Sequence, residues 1–142
     1  MGCKLLGPAS EIFGETTLPL APGAVRAGFP SPAADYLENT VCLQELLIAH
    51  PQATFLMRVE GDSMVGAGIH DGDIVVVDRA IKPVDGKVVV AVMDGDFAIK
   101  RLCYRGGECF LESENPKFKP IAVTEHSENS VWGVVTNVIH RL

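Results

Sequence analysis

Long hydrophobic runs are missing from this sequence. No stretch of 18 or more apolar residues occurs among its 142, and the first residues lack the basic start and apolar segment of a secretory signal. The expectation is a cytoplasmic protein with no membrane association. Cysteine is sparse: Cys3, Cys42, Cys103 and Cys109 show neither the C-x-x-C spacing of a zinc site nor the density of a disulfide-stapled domain. Cys103 and Cys109 could face each other across a hairpin, although buried, reduced thiols are the ordinary outcome. Positive charge is short as well, with 12 Lys and Arg against 18 Asp and Glu and a net charge of −6. The first 27 residues balance (Lys4 and Arg26 against Glu11 and Glu15), so the excess acid lies in residues 28–142. Affinity for nucleic acid comes largely from Lys and Arg neutralising phosphates, and no basic stripe is present, so no direct DNA binding is expected. A protein partner fits better. His50, His126 and His140 show no ligand spacing, Asp71-x-Asp73 lacks the rest of a calcium loop, and no dinucleotide or phosphate-loop fingerprint occurs, so neither cofactor nor metal is expected.

What is present is enough apolar material, 47% of residues, to bury a single core. Residues 1–40 read as an extended N-terminal arm, because Pro8, Pro19, Pro22, Pro30 and Pro32 alternate with glycines and leave no room for a helix or long strand. Thr16 to Leu20 could add a short edge strand. Ala24, Ala27, Gly28, Ala33 and Ala34 give residues 24–34 the small side chains and stiff extension of a protease substrate, and equally those of a surface linker. Residues 41–142 read as a β-rich domain. Asn39 or Thr40 can cap a short helix that buries Leu43, Leu46 and Leu47, ending at His50-Pro51. After it come short β-branched runs at Thr54–Val59, Ile74–Asp78, Lys87–Met93, Asp96–Cys103, Glu108–Glu112, Pro120–Val123 and Val131–Ile139. Asp94-Gly95 is a two-residue hairpin signal, and Arg105-Gly106-Gly107 suits a slightly longer loop. The fold class is therefore mainly β: a twisted, partly barrel-like antiparallel sheet with one short helix.

The chemistry-bearing stretch is Val59 to Asp73, taken with Lys100. Gly61 permits a sharp turn at the end of a strand, and Ser63 follows it. The amides of Asp62 and Ser63 could point at a developing oxyanion, with Met64 and Val65 anchoring the turn in the core. A serine needs a base, and a lysine serves only when its amine is neutral. Strand alternation sets Lys100 beside Ala98 and Leu102, and such apolar company lowers a lysine pKa at a cost of about 1.4 kcal/mol per unit. The same alternation also accommodates Lys100 as a half-exposed surface cation. A rival triad would join Ser63 to His70 and to Asp71 or Asp73, but His70 lies in the same short loop as Ser63.

These residues resemble the self-cleaving serine proteases that comprise the LexA-type repressors and UmuD-type mutagenesis proteins. The strings that carry the resemblance are Ala27-Gly28-Phe29-Pro30-Ser31-Pro32-Ala33-Ala34-Asp35-Tyr36, His50-Pro51, Gly61-Asp62-Ser63-Met64, Ile69-His70-Asp71-Gly72-Asp73, Ile99-Lys100-Arg101 and Trp132-Gly133-Val134-Val135. By that resemblance Ser63 is the nucleophile, Lys100 the general base and Ala27-Gly28 the scissile bond. It implies a homodimer whose cleavage is stimulated by RecA filaments on single-stranded DNA. The shortened form, residues 28–142, would join a UmuC-type Y-family polymerase for error-prone synthesis in the SOS response. Only about 27 residues precede the cut, too few for the DNA-binding domain of a LexA repressor, so the UmuD branch fits better. Alanine at position 27 replaces the cysteine of the best-known UmuD and matches the LexA choice. The alternatives are a non-cleaving interaction module that regulates the polymerase, or a signal-peptidase-like protease acting on other proteins.

Overall fold

A computed structural model describes residues 2–8, 16–21, 25, 27–28, 39–123 and 130–142. Among these, β1 (Gly2–Pro8), β2 (Thr17–Leu20) and β3 (Asn39–Cys42) precede the one α-helix, α1 (Leu43–Leu47). Then follow β4 (Thr54–Glu60), β5 (Ile74–Asp78), β6 (Val88–Met93), β7 (Asp96–Arg105), β8 (Glu108–Glu112), β9 (Ile121–Val123) and β10 (Ser130–Ile139), with single 3₁₀ turns at Pro51–Ala53 and Val65–Ala67. All seven strands expected between residues 54 and 139 form, their ends moved by at most two residues. β-branched residues tolerate a pleated, half-buried surface, and here they are punctuated by turn chemistry. Asp94 (φ 50°) and Gly95 (φ 84°) make the two-residue hairpin between Met93 and Asp96.

The main sheet runs β1-β4-β5-β10-β6-β7-β8-β9, and β1 also reaches β7, where Gly2 pairs with Ala98. Six strands thus close into a barrel, with β8 and β9 as a two-strand extension. Alternation assigns the faces. Met57, Val59, Val75, Val77, Val90 and Ile99 form one cluster joined by Cys3, Phe97, Trp132, Val135 and Val138, so every strand of the closed ring contributes to it. Residues one step out of phase pack outside: Val89, Ala91, Leu102, Leu111 and Val134 in one cluster, Leu56, Val76 and Ile48 in another. Strands covered on both faces need continuous apolar runs, as in Val75-Val76-Val77 and Val89-Val90-Ala91, all fully buried. Each such valine contributes about 1.5–3 kcal/mol relative to exposure.

Three expectations are corrected. Residues 2–8 form a seven-residue strand inside the barrel rather than part of an extended arm, because the breaker Gly7 sits at a register shift after Leu5 and Pro8 ends the pairing. The short edge strand expected at Thr16 to Leu20 does form, as Thr17–Leu20, and it pairs with β3 in a separate two-stranded sheet where Pro19 is tolerated at an edge. The helix is capped at Cys42, since Asn39 and Thr40 are in β3, and Leu43 and Leu46 are exposed (46% and 65%) rather than buried. Cys103 and Cys109 are not cross-strand partners: Cys103 pairs with Phe110 and Cys109 with Tyr104, across a two-residue Gly106-Gly107 turn tighter than the loop expected. All four thiols are free. Burial pushes the Cys3 thiol up to about 12 and raises that of Cys103, which keeps both protonated. Ala24, Ala33, Ala34 and His126 lie outside the described residues. No helix among the described residues is long and apolar enough to cross a membrane.

Candidate active site

The loop from Gly61 to Asp73 leaves β4 and returns to it. Gly61, at φ 94°, makes the turn that a side chain would strain. Its N–H donates to Asp71 Oδ1 at 2.7 Å, and the base of the loop is sealed by Val59 N–H to the Asp73 carbonyl and Gly72 N–H to the Val59 carbonyl, each 2.8 Å. Met64 is fully buried in the barrel cluster, while Val65 is exposed, so one of the two expected anchors holds the loop. Ser63, the residue before Met64, has no exposed surface, and its Oγ has no hydrogen-bond partner among the described residues. A buried hydroxyl left unpaired is costly and rare, and it marks a place where a ligand or reacting group belongs. The Asp62 and Ser63 amides make no hydrogen bond among the described residues, whereas the Asp62 carbonyl accepts from Asn115 Nδ2 at 3.1 Å.

Lys100 is 6% exposed, so the surface-cation alternative does not hold. The β7 edge that meets β1 at Ala98 meets β8 from Arg101 onward, and Lys100 sits at the fork. Its Nζ donates to Ser113 Oγ at 2.7 Å and lies 5.6 Å from the centre of the Phe118 ring. Desolvation lowers its pKa below the ordinary lysine value, which favours the neutral amine. Ser113 and Phe118 also line an open cleft of ≈ 380 Å³ together with Gly66, Asn115 and Pro120. The structure therefore buries both expected residues but joins Lys100 to Ser113, and no hydrogen bond joins it to Ser63. Ala27 and Gly28 lie in an exposed bend.

A strap from Ser113 to Phe118 ties the two halves together, and the sequence reading missed it. Gly66 N–H donates to the Glu114 carbonyl at 2.8 Å, Glu114 N–H to Met64 Sδ at 3.3 Å, and Arg101 pairs with the Glu114 carboxylate. The signal that could have found it is hairpin register: a two-residue turn at Gly106-Gly107 pairs Arg101 with Glu112 and puts position 113 across from Lys100.

The rival triad fails. His70 stacks on His140 (5.2 Å between ring centres), its Nδ1 is 3.8 Å from Asp73, and it makes no bond to the Ser63 hydroxyl. Asp71 and Asp73 instead close the loop. Asp73, 3% exposed, accepts His70 N–H at 2.8 Å and pairs with His140 Nδ1 at 2.6 Å. His70, Asp73 and His140 are the one group among the described residues with metal-ligand chemistry, their donor atoms within 4.8 Å of one another, but the Asp73 oxygens are already engaged. Burial raises the Asp73 pKa, and the bonds from His140 and the His70 amide, with the two imidazoles nearby, outweigh it, so the net direction is down. The stability this carboxylate contributes is present above its ordinary value of about 3.9 and is lost as pH falls through the lower folded value. Asp73→Asn is expected to flatten the acid limb of Tm against pH below about pH 4, read by circular dichroism.

A family described as Peptidase S24-like matches residues 19–136, and the chain belongs to that family. Protein ImpA of Escherichia coli is 46% identical over 125 residues, 87% of this chain and 83% of ImpA. Protein SamA of Salmonella typhimurium is 44% identical over 137 residues, covering 96% of this chain and 94% of SamA. Protein MucA of Escherichia coli is 40% identical over 114 residues, 80% of this chain and 77% of MucA.

Proposed function

We propose that this chain is a self-cleaving serine peptidase of the UmuD type, acting in the cytoplasm in SOS mutagenesis. The observation that carries the reading is Lys100: a buried amine, depressed by desolvation, in a family of peptidases. In the proposed reaction the neutral amine removes the Ser63 hydroxyl proton as Oγ attacks the Ala27 carbonyl carbon. The tetrahedral oxyanion is met by the Asp62 and Ser63 amides. Its collapse breaks the Ala27–Gly28 bond, the ammonium returns its proton to the departing Gly28 nitrogen, and water then releases Ala27 from Ser63 with Lys100 again as base. Bond and nucleophile belong to one chain, so attack can be intramolecular and does not depend on tight substrate binding. Of residues 1–40, the part after β1 then acts as the arm that presents the bond, and residues 41–142, with β1 closing their barrel, act as the peptidase domain. A RecA filament on single-stranded DNA would favour the productive arrangement, and the homodimer of residues 28–142 would serve a UmuC-type Y-family polymerase.

Incubation of the full chain near pH 10, close to the ordinary lysine value of about 10.4, is expected to yield a fragment beginning at Gly28, read by intact mass. Activated RecA should produce the same fragment near neutral pH. The unpaired Ser63 Oγ and the engagement of Lys100 with Ser113 favour a second reading, a non-cleaving module that only binds the polymerase. An unchanged mass under both conditions would establish it.

A further inference from the structure

We propose that Ser113 is a positioning residue for the Lys100 amine, taking one of its N–H bonds so that the lone pair is directed toward Ser63; this rests on the Ser-Lys reading above. A neutral amine has two hydrogens and one lone pair, so an acceptor that fixes one N–H also fixes where the lone pair can point. Ser113 Oγ is that acceptor, at 2.7 Å. It reaches the amine because β8 is in register with β7 up to the Arg101–Glu112 pair and Ser113 is the next residue. The amine has little solvent to turn toward, with Lys100 6% exposed and Phe118 beside it.

The same short strap grips the serine loop on both sides of Ser63. Asn115 holds the Asp62 carbonyl, Glu114 N–H meets Met64 Sδ, and the Glu114 carbonyl takes Gly66 N–H. Residues 113–115 therefore set the base relative to the nucleophile, and Ser113 is the member that touches the base. A hydroxyl oxygen facing the amine also stabilises its charged form. Its removal disorders the amine and lowers the pH at which the proton leaves.

The test compares Ser113→Val and Ser113→Thr in the full chain, a pair matched in shape that differs in the hydroxyl. Self-cleavage is followed by intact mass from pH 7 to 10.5. Ser113→Val is expected to lower the limiting rate by roughly 10- to 100-fold, the effect of misplacing a catalytic group by about 1 Å, and Ser113→Thr to keep the parental rate. Competitive acetylation of Lys100 in a Ser63→Ala background reads the amine without cleavage, and there Ser113→Val should move its titration midpoint to lower pH. A Val variant that cleaves as fast as the parent or faster, with the Lys100 midpoint unmoved, overturns the role of Ser113. Parental cleavage by Ser63→Ala and Lys100→Ala would instead overturn the dyad.

Discussion

Lys100→Ala and Ser63→Ala are each expected to reduce alkaline self-cleavage by at least about 10³-fold, to a rate indistinguishable from peptide hydrolysis in the same buffer. The two effects should not add. Each substitution removes one half of a single proton transfer, so the double variant should be no slower than either alone. The expected losses differ in their structural cost. Lys100 is buried at the fork where one edge of β7 passes from β1 to β8, and its stem packs there, so alanine opens a space as well as removing the amine. Because desolvation depresses its pKa, folding disfavours its charged form, and the parent gains stability as pH rises from the folded value toward about 10.4. Lys100→Met should lose that pH dependence, keep the packing and still fail to cleave. Parental rates in both alanine variants would remove the dyad from consideration.

Gly66→Val is expected to slow cleavage by about 10²-fold while lowering stability by about 1–3 kcal/mol. A Cβ at position 66 would stand 2.7 Å from the Glu114 carbonyl oxygen, a backbone atom that cannot swing aside. That carbonyl is the one accepting Gly66 N–H at 2.8 Å, so the clash and the lost bond fall on the same contact. The loop would be pushed off the strap three residues from Ser63, while the barrel interior keeps its packing. A measured rate loss much larger than the Tm shift predicts would mark this contact as one that places the nucleophile. Equal rates in parent and variant would show that the loop tolerates the displacement.

The barrel was largely legible because its strands are β-branched runs between turn residues, and alternation reports which face is covered. For Lys100, beside Ala98 and Leu102, alternation allowed burial and half-exposure alike, and the structure buries it. The sequence misled where a local signal meant something else in context. Gly7 and Pro8 read as breakers, yet a glycine at a register shift and a proline at the last position are compatible with the β1 pairing. Leu43 and Leu46 read as a packing stripe, yet the helix is only five residues long and presents them to solvent. Ser113 was invisible for a different reason. Nothing in Glu112-Ser113-Glu114 marks a partner of Lys100, and only the tightness of the Gly106-Gly107 turn, worked through the ladder, places them opposite each other.

The strand that shuts the barrel lies upstream of the proposed cut. β1 is hydrogen-bonded along β4 and touches β7 at Ala98, two residues from Lys100, and its covalent link to the rest of the chain runs through position 27. Scission at that point would turn an intramolecular seam into a complex of two molecules, whose survival depends on dilution as well as on its ladder. Where the peptide departs, β4 is left with a bare row of amides and carbonyls that any extended segment of suitable length can zip onto.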